Sequence, residues 1–156
     1  MSAQTKEKII RKATLRDLPV IVQMLADDEF GKQRESMVDD SLSKYIQAFE
    51  QISRDDRAEL LVVEIDEIVV ATAQVNYLTY LTYQGGVRAQ IEAVRVHEDY
   101  RGQGMGEFLI THIIEQAKQR GCHMVQLTTN KMRTRAKQFY EKLGFKATHE
   151  GMKLSD

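Results

Sequence analysis

Three glycines alternate in Arg101-Gly102-Gln103-Gly104-Met105-Gly106, directly ahead of a stretch with helical periodicity. Glycine admits positive φ and lets backbone approach a ligand closely, and a helix starting near Met105 would aim unpaired N–H groups outward. A diphosphate seated there would gain charge-assisted hydrogen bonds and about 0.3–1 kcal/mol from the helix dipole. Arg101 adds a positive charge. The glycines alone would equally suit a tight strand-to-helix turn, so the neighbouring elements have to decide what they serve.

The strand reading before this loop, Arg88 to Val96, is irregular in an informative way. Its apolar residues change parity, with Ile91 and Ala93 odd and Val94 and Val96 even. Either helices cover both faces, or a β-bulge at Ala93 and Val94 shifts the register. A bulge would release backbone N–H groups from the ladder, where they could form an oxyanion hole. Glu92 lies in the middle of this otherwise apolar strand, where a carboxylate is costly without purpose or partner.

The elements that position these residues follow from periodicity. Lys8–Lys12 reads as a short edge strand. Thr14 and Asp17 have capping-box spacing ahead of Leu18, Ile21, Val22 and Leu25, with Pro19 in the first helical turn. Leu42, Tyr45, Ile46, Phe49 and Ile52 predict a second helix, whose positive end suits Asp39 and Asp40. Leu60–Ile65 and Ile68–Tyr80 predict a hairpin turning at Asp66 and Glu67, and Gln84 to Gly86 break the chain before the third strand. Leu109, Ile110, Ile113, Ile114 and Ala117 form a helical stripe stopped by Gly121. A strand over Met124–Thr128, a helix carrying Ala136, Phe139, Tyr140 and Leu143, and a last strand within Phe145–Leu154 complete an α/β (α+β) sheet with helices packed on it.

Bulk properties limit the function classes. The 156 residues suit one domain over 1–156, with no linker or repeat. The 22 Lys and Arg against 23 Asp and Glu give a net charge of −1, so no nucleic-acid partner is expected. No apolar run is long enough for a membrane or a signal peptide, and Cys122 has no disulfide partner, so a cytoplasmic protein is expected. The four histidines show no metal-ligand spacing, and no metal is expected. The seven methionines are scattered as gap-fillers. A Lys-Ser or Lys-Thr pair is missing after the last glycine, which argues against a P-loop, and the preceding meander argues against a dinucleotide fold.

The segment IEAVRVHEDYRGQGMGEFLITHIIEQAKQRG, followed by FYEKLGF, resembles the GNAT superfamily of N-acetyltransferases. Arg101, Gly104 and Gly106 fit its Q/R-x-x-G-x-G/A signature, and the likeness covers Arg88 to about Leu154. The resemblance implies a mixed, mostly antiparallel central sheet with helices on both faces, a strand bulge near the thioester, and acetyl-CoA as co-substrate. It implies that backbone groups of Val94, Arg95 and Val96 hold the pantetheine arm, and that amides of Arg101, Gly102, Gln103, Gly104, Met105 and Gly106 hold the pyrophosphate. It also places Tyr140 near the CoA sulfur, where its hydroxyl would protonate the thiolate; packing on the Ala136, Phe139 and Leu143 stripe is the alternative. One departure is Arg133, which stands where the family often has asparagine. Its side chain either reaches a CoA phosphate or is solvated surface.

Acetyl transfer to an amine requires a neutral nucleophile, a stabilised oxyanion and a protonated leaving group. Glu92 is the candidate base, directly or through water, and partial burial would suit it to that role; pairing with Arg88 or Arg95 is the structural alternative. The reading is direct acetyl transfer from acetyl-CoA to a primary amine of a small molecule, without a covalent intermediate on Cys122. A protein or peptide amine, or a non-catalytic CoA-binding sensor, are the other readings. Tyr77, Tyr80 and Tyr83 read as cross-strand packing. Residues Leu15–Gly86, which would line much of the acceptor pocket, contain no motif that names the acceptor. A homodimer through a sheet edge or the final strand is compatible with the sequence, although no residue pattern specifies it.

Overall fold

The computed structural model describes residues 7–28, 31–36 and 39–155. Five strands form one sheet in chain order: β1 (Lys8–Lys12), β2 (Ala58–Ile65), β3 (Ile68–Thr79), β4 (Val87–Val96) and β5 (Met124–Leu127). The first four pair antiparallel, whereas β5 joins β4 in parallel. A parallel neighbour needs a crossover, and α4 (Met105–Gln119) supplies it. The remaining helices are α1 (Leu18–Ala26), α2 (Gly31–Arg34), α3 (Asp39–Arg54) and α5 (Thr134–Lys142).

Helices cover both faces, as the family resemblance implied. On one face Leu109, Ile110 and Ile113 of α4 pack on Val63, Ala71, Ala73, Val75, Ala89 and Ile91. On the other, Ile21 and Met24 of α1 meet Val62 and Val69. Fully burying an aliphatic side chain of this kind contributes roughly 1.5–3 kcal/mol, so the α4 layer is the main source of cohesion.

The parity slip in β4 is a bulge. Thr72 pairs with Arg95 and Gln74 with Glu92, leaving Ala93 and Val94 opposite Ala73 alone. Ala93 takes φ 55°, the left-handed region that L-residues avoid. Val94 and Val96 thereby join the α4 core that Ala89 and Ile91 face before the bulge.

One expected element does not form: residues 145–155 carry no regular secondary structure, and Met152 and Leu154 are fully exposed. The apolar positions that suggested a strand change parity at Gly151, so no single face could be buried along the segment. Among the described residues, no strand lies outside β5.

The capping box at Thr14 is part of an ion cluster. Asp17 accepts from the Thr14 N–H at 2.7 Å and from its hydroxyl at 3.1 Å, and Arg11 of β1 grips the carboxylate with both terminal nitrogens at 2.7 and 3.0 Å. Arg11 also reaches Glu64 of β2 at 3.3 Å. The Arg11 hydrogen bond, reinforced by Thr14 against the cost of burial, holds the Asp17 carboxyl down at about 2. A carboxyl lowered on folding stabilises the native state above its unfolded value near 4, and that contribution disappears as pH falls through about 2. Asp17→Asn is expected to remove about 2 kcal/mol at neutral pH and flatten the dependence between pH 4 and 2, read by urea unfolding at each pH. Ala93→Gly, by relieving the left-handed residue, is expected to raise unfolding stability by about 1 kcal/mol in the same assay.

Candidate active site

The partnership of β4 with β5 runs only from Arg88 opposite Met124 to Ile91 opposite Leu127. Beyond it β4 continues through the bulge to Val96, while the segment after β5 leaves the sheet towards α5. The β4 edge from Glu92 to Val96 therefore borders an opening without a strand on that side, and a bulge keeps its extra residue out of the ladder.

At the lower end of this opening lies the glycine loop. Gly102 and Gly104 have φ of 75° and 82°, and added Cβ atoms would meet nothing within 4 Å, so both are required for conformation alone. Gly106 sits in a tight place: a Cβ there would lie 3.2 Å from Phe139 Cζ and 3.7 Å from Val96 Cγ2, so the Phe139 ring would have to give by a few tenths of an ångström. The first turn of α4 thus packs directly on both β4 and α5. The N–H groups of Met105 and the next residues open the helix and have no intrahelical acceptor. The long side chains of the loop serve the protein itself: Arg101 donates to the Val96 carbonyl at 3.3 Å and to Asp27 at 3.2 Å, and Gln103 donates to the Asp99 carbonyl at 3.2 Å.

Asp27 and Asp28 follow α1, where the dipole disfavours negative charge unless cations answer it. Three arginines do. Arg101 takes Asp27, while Arg133 lies 2.8 Å and Arg95 3.5 Å from the Asp28 carboxylate. Asp28 also accepts from the Gly31 N–H. Burial pushes the Asp28 carboxyl up, but the Gly31 N–H and the two arginines outweigh it and hold it below the usual carboxylate range. Burial acts on Arg95 in the opposite sense, lowering its value. The cluster joins the end of α1 to β4 beyond the bulge and to the first residue before α5.

Tyr140 lies on α5 with its ring edge-on to Phe139, at 5.1 Å, and to Phe145, at 5.8 Å. Burial pushes its phenol above the ordinary value, against the pull of Arg95 and Arg133. The group is therefore protonated at neutral pH and able to donate. It also packs against the core with Phe139 and Leu143, which is the packing the stripe predicted.

Glu92 departs from the sequence expectation of partial burial: it is exposed. It also pairs with neither Arg88 nor Arg95; its carboxylate accepts from the Gln90 side-chain amide at 3.0 Å. The other candidates stand apart. Tyr77 is buried on the α4 face with the Arg120 guanidinium 3.9 Å above its ring, whereas Tyr80 and Tyr83 flank Arg88. His97 accepts from the Asp99 N–H as the cap of a short 3-10 turn, and among the described residues no cluster of His, Cys, Asp and Glu could hold a metal.

Sequence reasoning missed Asp27, Asp28, Gln90 and Gln126. The acidic pair had a signal, since two carboxylates at a helix C-terminus ask for cations. The glutamines had none, because neither residue type carries a motif of its own.

The sequence pattern of the Acetyltransferase (GNAT) family matches residues 19–145. The chain belongs to this family. A solved protein of Bacillus halodurans C-125, described as a transcriptional regulator, is 49% identical with a TM-score of 0.91, over 96% of this chain and 100% of that one. A Clostridium acetobutylicum protein, described as a predicted acetyltransferase and solved with acetyl-CoA, shares the fold at 21% identity and a TM-score of 0.74, covering 96% of each chain. Glucosamine 6-phosphate N-acetyltransferase of Trypanosoma brucei brucei is 35% identical over 86 residues, 55% of this chain and 56% of that protein. The chain spans between about a quarter and just over half the length of this and the next two curated relatives it matches.

In this GNAT chain Asp27 thus ties down the glycine loop, while Asp28 joins the strand beyond the bulge to the approach to α5. Asp28→Ala, which leaves the half-buried Arg95 charge without its partner, is expected to cost about 1–3 kcal/mol in urea unfolding, whereas Asp27→Ala, in a more exposed pair, costs less than about 1.

Proposed function

We propose that the protein transfers the acetyl group of acetyl-CoA to a primary amine of a small molecule. The observation that carries this reading is the β4 edge left open beside the bulge, with the glycine loop packed at its end, where Gly106 lies against Val96 and against Phe139 of the helix that bears Tyr140. In this reading the main-chain groups of Val94, Arg95 and Val96 pair with the amides of the pantetheine arm as an added strand would. The N–H groups from Arg101 to Gly106 take the diphosphate. Because Arg101 and Arg133 are already held by Asp27 and Asp28, main-chain donors dominate there, and any phosphate contact by Arg133 needs an exchange of partners.

Glu92 takes a proton from the arriving ammonium, directly or through one water, and so frees the nitrogen lone pair. N–H groups at the bulge face the carbonyl oxygen as it gains charge while the C–N bond forms. Tyr140 gives its proton to sulfur as the C–S bond breaks and recovers one from water. The second amine proton and the one held by Glu92 leave to solvent, one of them matching the proton Tyr140 regains, and free CoA and the N-acetyl product remain. No step uses Cys122.

A second reading, binding of acetyl-CoA by a regulator without turnover, has one observation in its favour: the description of the Bacillus halodurans relative. Thiol release separates the two. Incubation with acetyl-CoA and glucosamine 6-phosphate, L-ornithine, L-lysine or a short peptide with a free N-terminus is expected to yield free CoA with at least one of the small amines. Calorimetric binding of acetyl-CoA without release in any arm would support the regulator instead. Given turnover, Glu92→Gln and Tyr140→Phe are each expected to lower kcat by roughly 10²–10⁴-fold while leaving acetyl-CoA affinity within a few-fold. Full activity in both would remove these residues from the chemistry.

A further inference from the structure

The sheet face that carries Glu92 also carries an unbroken line of side-chain hydrogen bonds across β4 and β5. Arg88 donates to the Gln126 carbonyl oxygen at 3.3 Å. The Gln126 amide donates to the Gln90 oxygen at 2.6 Å, and the Gln90 amide donates to Glu92 at 3.0 Å. The parallel register puts Gln90 directly opposite Gln126, so the link between strands is a cross-strand pair and not a chance contact of long side chains.

The line has a direction, and the chemistry of its ends fixes it. A guanidinium has only donors, so Gln126 must present its oxygen to Arg88 and its NH2 to Gln90; Gln90 in turn must present its NH2 onward. A carboxylate has only acceptors, so Glu92 completes the sequence at the other end. Either glutamine turned over would set oxygen against oxygen or leave the cation facing an amide NH2. Arg88 has further contacts in the β3–β4 connection, with the Tyr80 and Tyr83 ring centres 4.6 and 5.7 Å from its guanidinium carbon and the Thr82 hydroxyl 3.4 Å from a terminal nitrogen.

We propose that Arg88, Gln126 and Gln90 are positioning residues that hold the exposed Glu92 carboxylate in one orientation, with one oxygen committed to Gln90 and the other left for the amine or its bridging water. The proposal rests on Glu92 being the base. An exposed glutamate otherwise samples several rotamers, and a base misplaced by about 1 Å can lose roughly 100-fold in rate. The line also joins the acceptor chemistry to the β3–β4 connection, because its anchor, Arg88, is held by residues of that loop.

Two measurements test it. Without any acceptor, the 15N–1H side-chain amide signals of Gln90 are followed in Arg88→Gln and in Glu92→Gln. Movement in both variants is expected, since each changes one end of the line; an unmoved Gln90 signal in Arg88→Gln overturns the proposal. With the amine that supports turnover, Gln126→Leu and Gln90→Leu are expected to lower kcat by roughly 10- to 100-fold with an unchanged KM for acetyl-CoA, and to add nothing in a Glu92→Gln background. Arg88→Lys, which keeps a cationic donor, is expected to recover part of the loss seen in Arg88→Gln. Wild-type kcat in both leucine variants, or losses that simply multiply with that of Glu92→Gln, overturn the positioning role. Full turnover in Glu92→Gln removes the base assignment itself, a result distinguishable from failure of the line.

Discussion

The bulge at Ala93 and Val94 is the constraint on which the site depends. Side chains of a regular strand keep one parity, so a β4 without it would send Val94 and Val96 away from α4. Gln90 and Glu92, ahead of the extra residue, share one face by ordinary alternation, while the bulge turns Val94 and Val96 into the apolar layer on the other. The same irregularity coincides with the end of β5 pairing. One left-handed alanine, directly after Glu92, thereby restores the core beyond it and frees main-chain groups from the ladder, which is the sense in which bulges act as built features and not defects.

Electrostatics arranges the surroundings. Arg95, Arg101 and Arg133, from β4, the glycine loop and the approach to α5, all answer the aspartate pair after α1. Their charge is thus spent on holding α1, β4 and the approach to α5 together. What remains for an anion is the start of α4, where unpaired N–H groups and the dipole act without a long side chain to order. Gly106 sets how closely that helix start approaches β4 and α5.

How far the sequence could be read depended on the length scale of each interaction. Strand and helix positions were legible because periodicity and turn residues act within a few residues: β1, the hairpin turn at Asp66 and Glu67, and the α4 stripe all lie where local patterns put them. The bulge was legible as one of two alternatives, because parity reports a slip but not its cause. The exposure of Glu92 was not legible, since burial depends on whether a helix covers that part of the sheet. Neither were the partners of the arginines, separated from Asp27 and Asp28 by more than sixty residues, nor the alignment of Gln90 with Gln126, which requires the register of a parallel pair. The expected last strand failed for a related reason: alternation is necessary for a strand, but the segment also needs a partner edge and one consistent buried face.

The connection between β3 and β4 has a consequence for motion. Tyr83, Gln84 and Gly85 are all left-handed, and two of them are not glycine. Of the backbone hydrogen bonds that close it, the Gly85 N–H reaches the Leu81 carbonyl at 3.0 Å, but Tyr80 N–H to Gly86 and Gly86 N–H to Thr82 are long at 3.5 and 3.4 Å, and Leu81 is almost wholly exposed. Strain, weak closure and little burial together define a segment that opens locally at a small fraction of the cost of global unfolding. The strands beneath it, with Val75, Ala89 and Ile91 sealed from water, open only with the whole sheet. Amide exchange would thus be faster at this rim than on the floor a few residues away, giving the sheet a pliant border around a rigid platform.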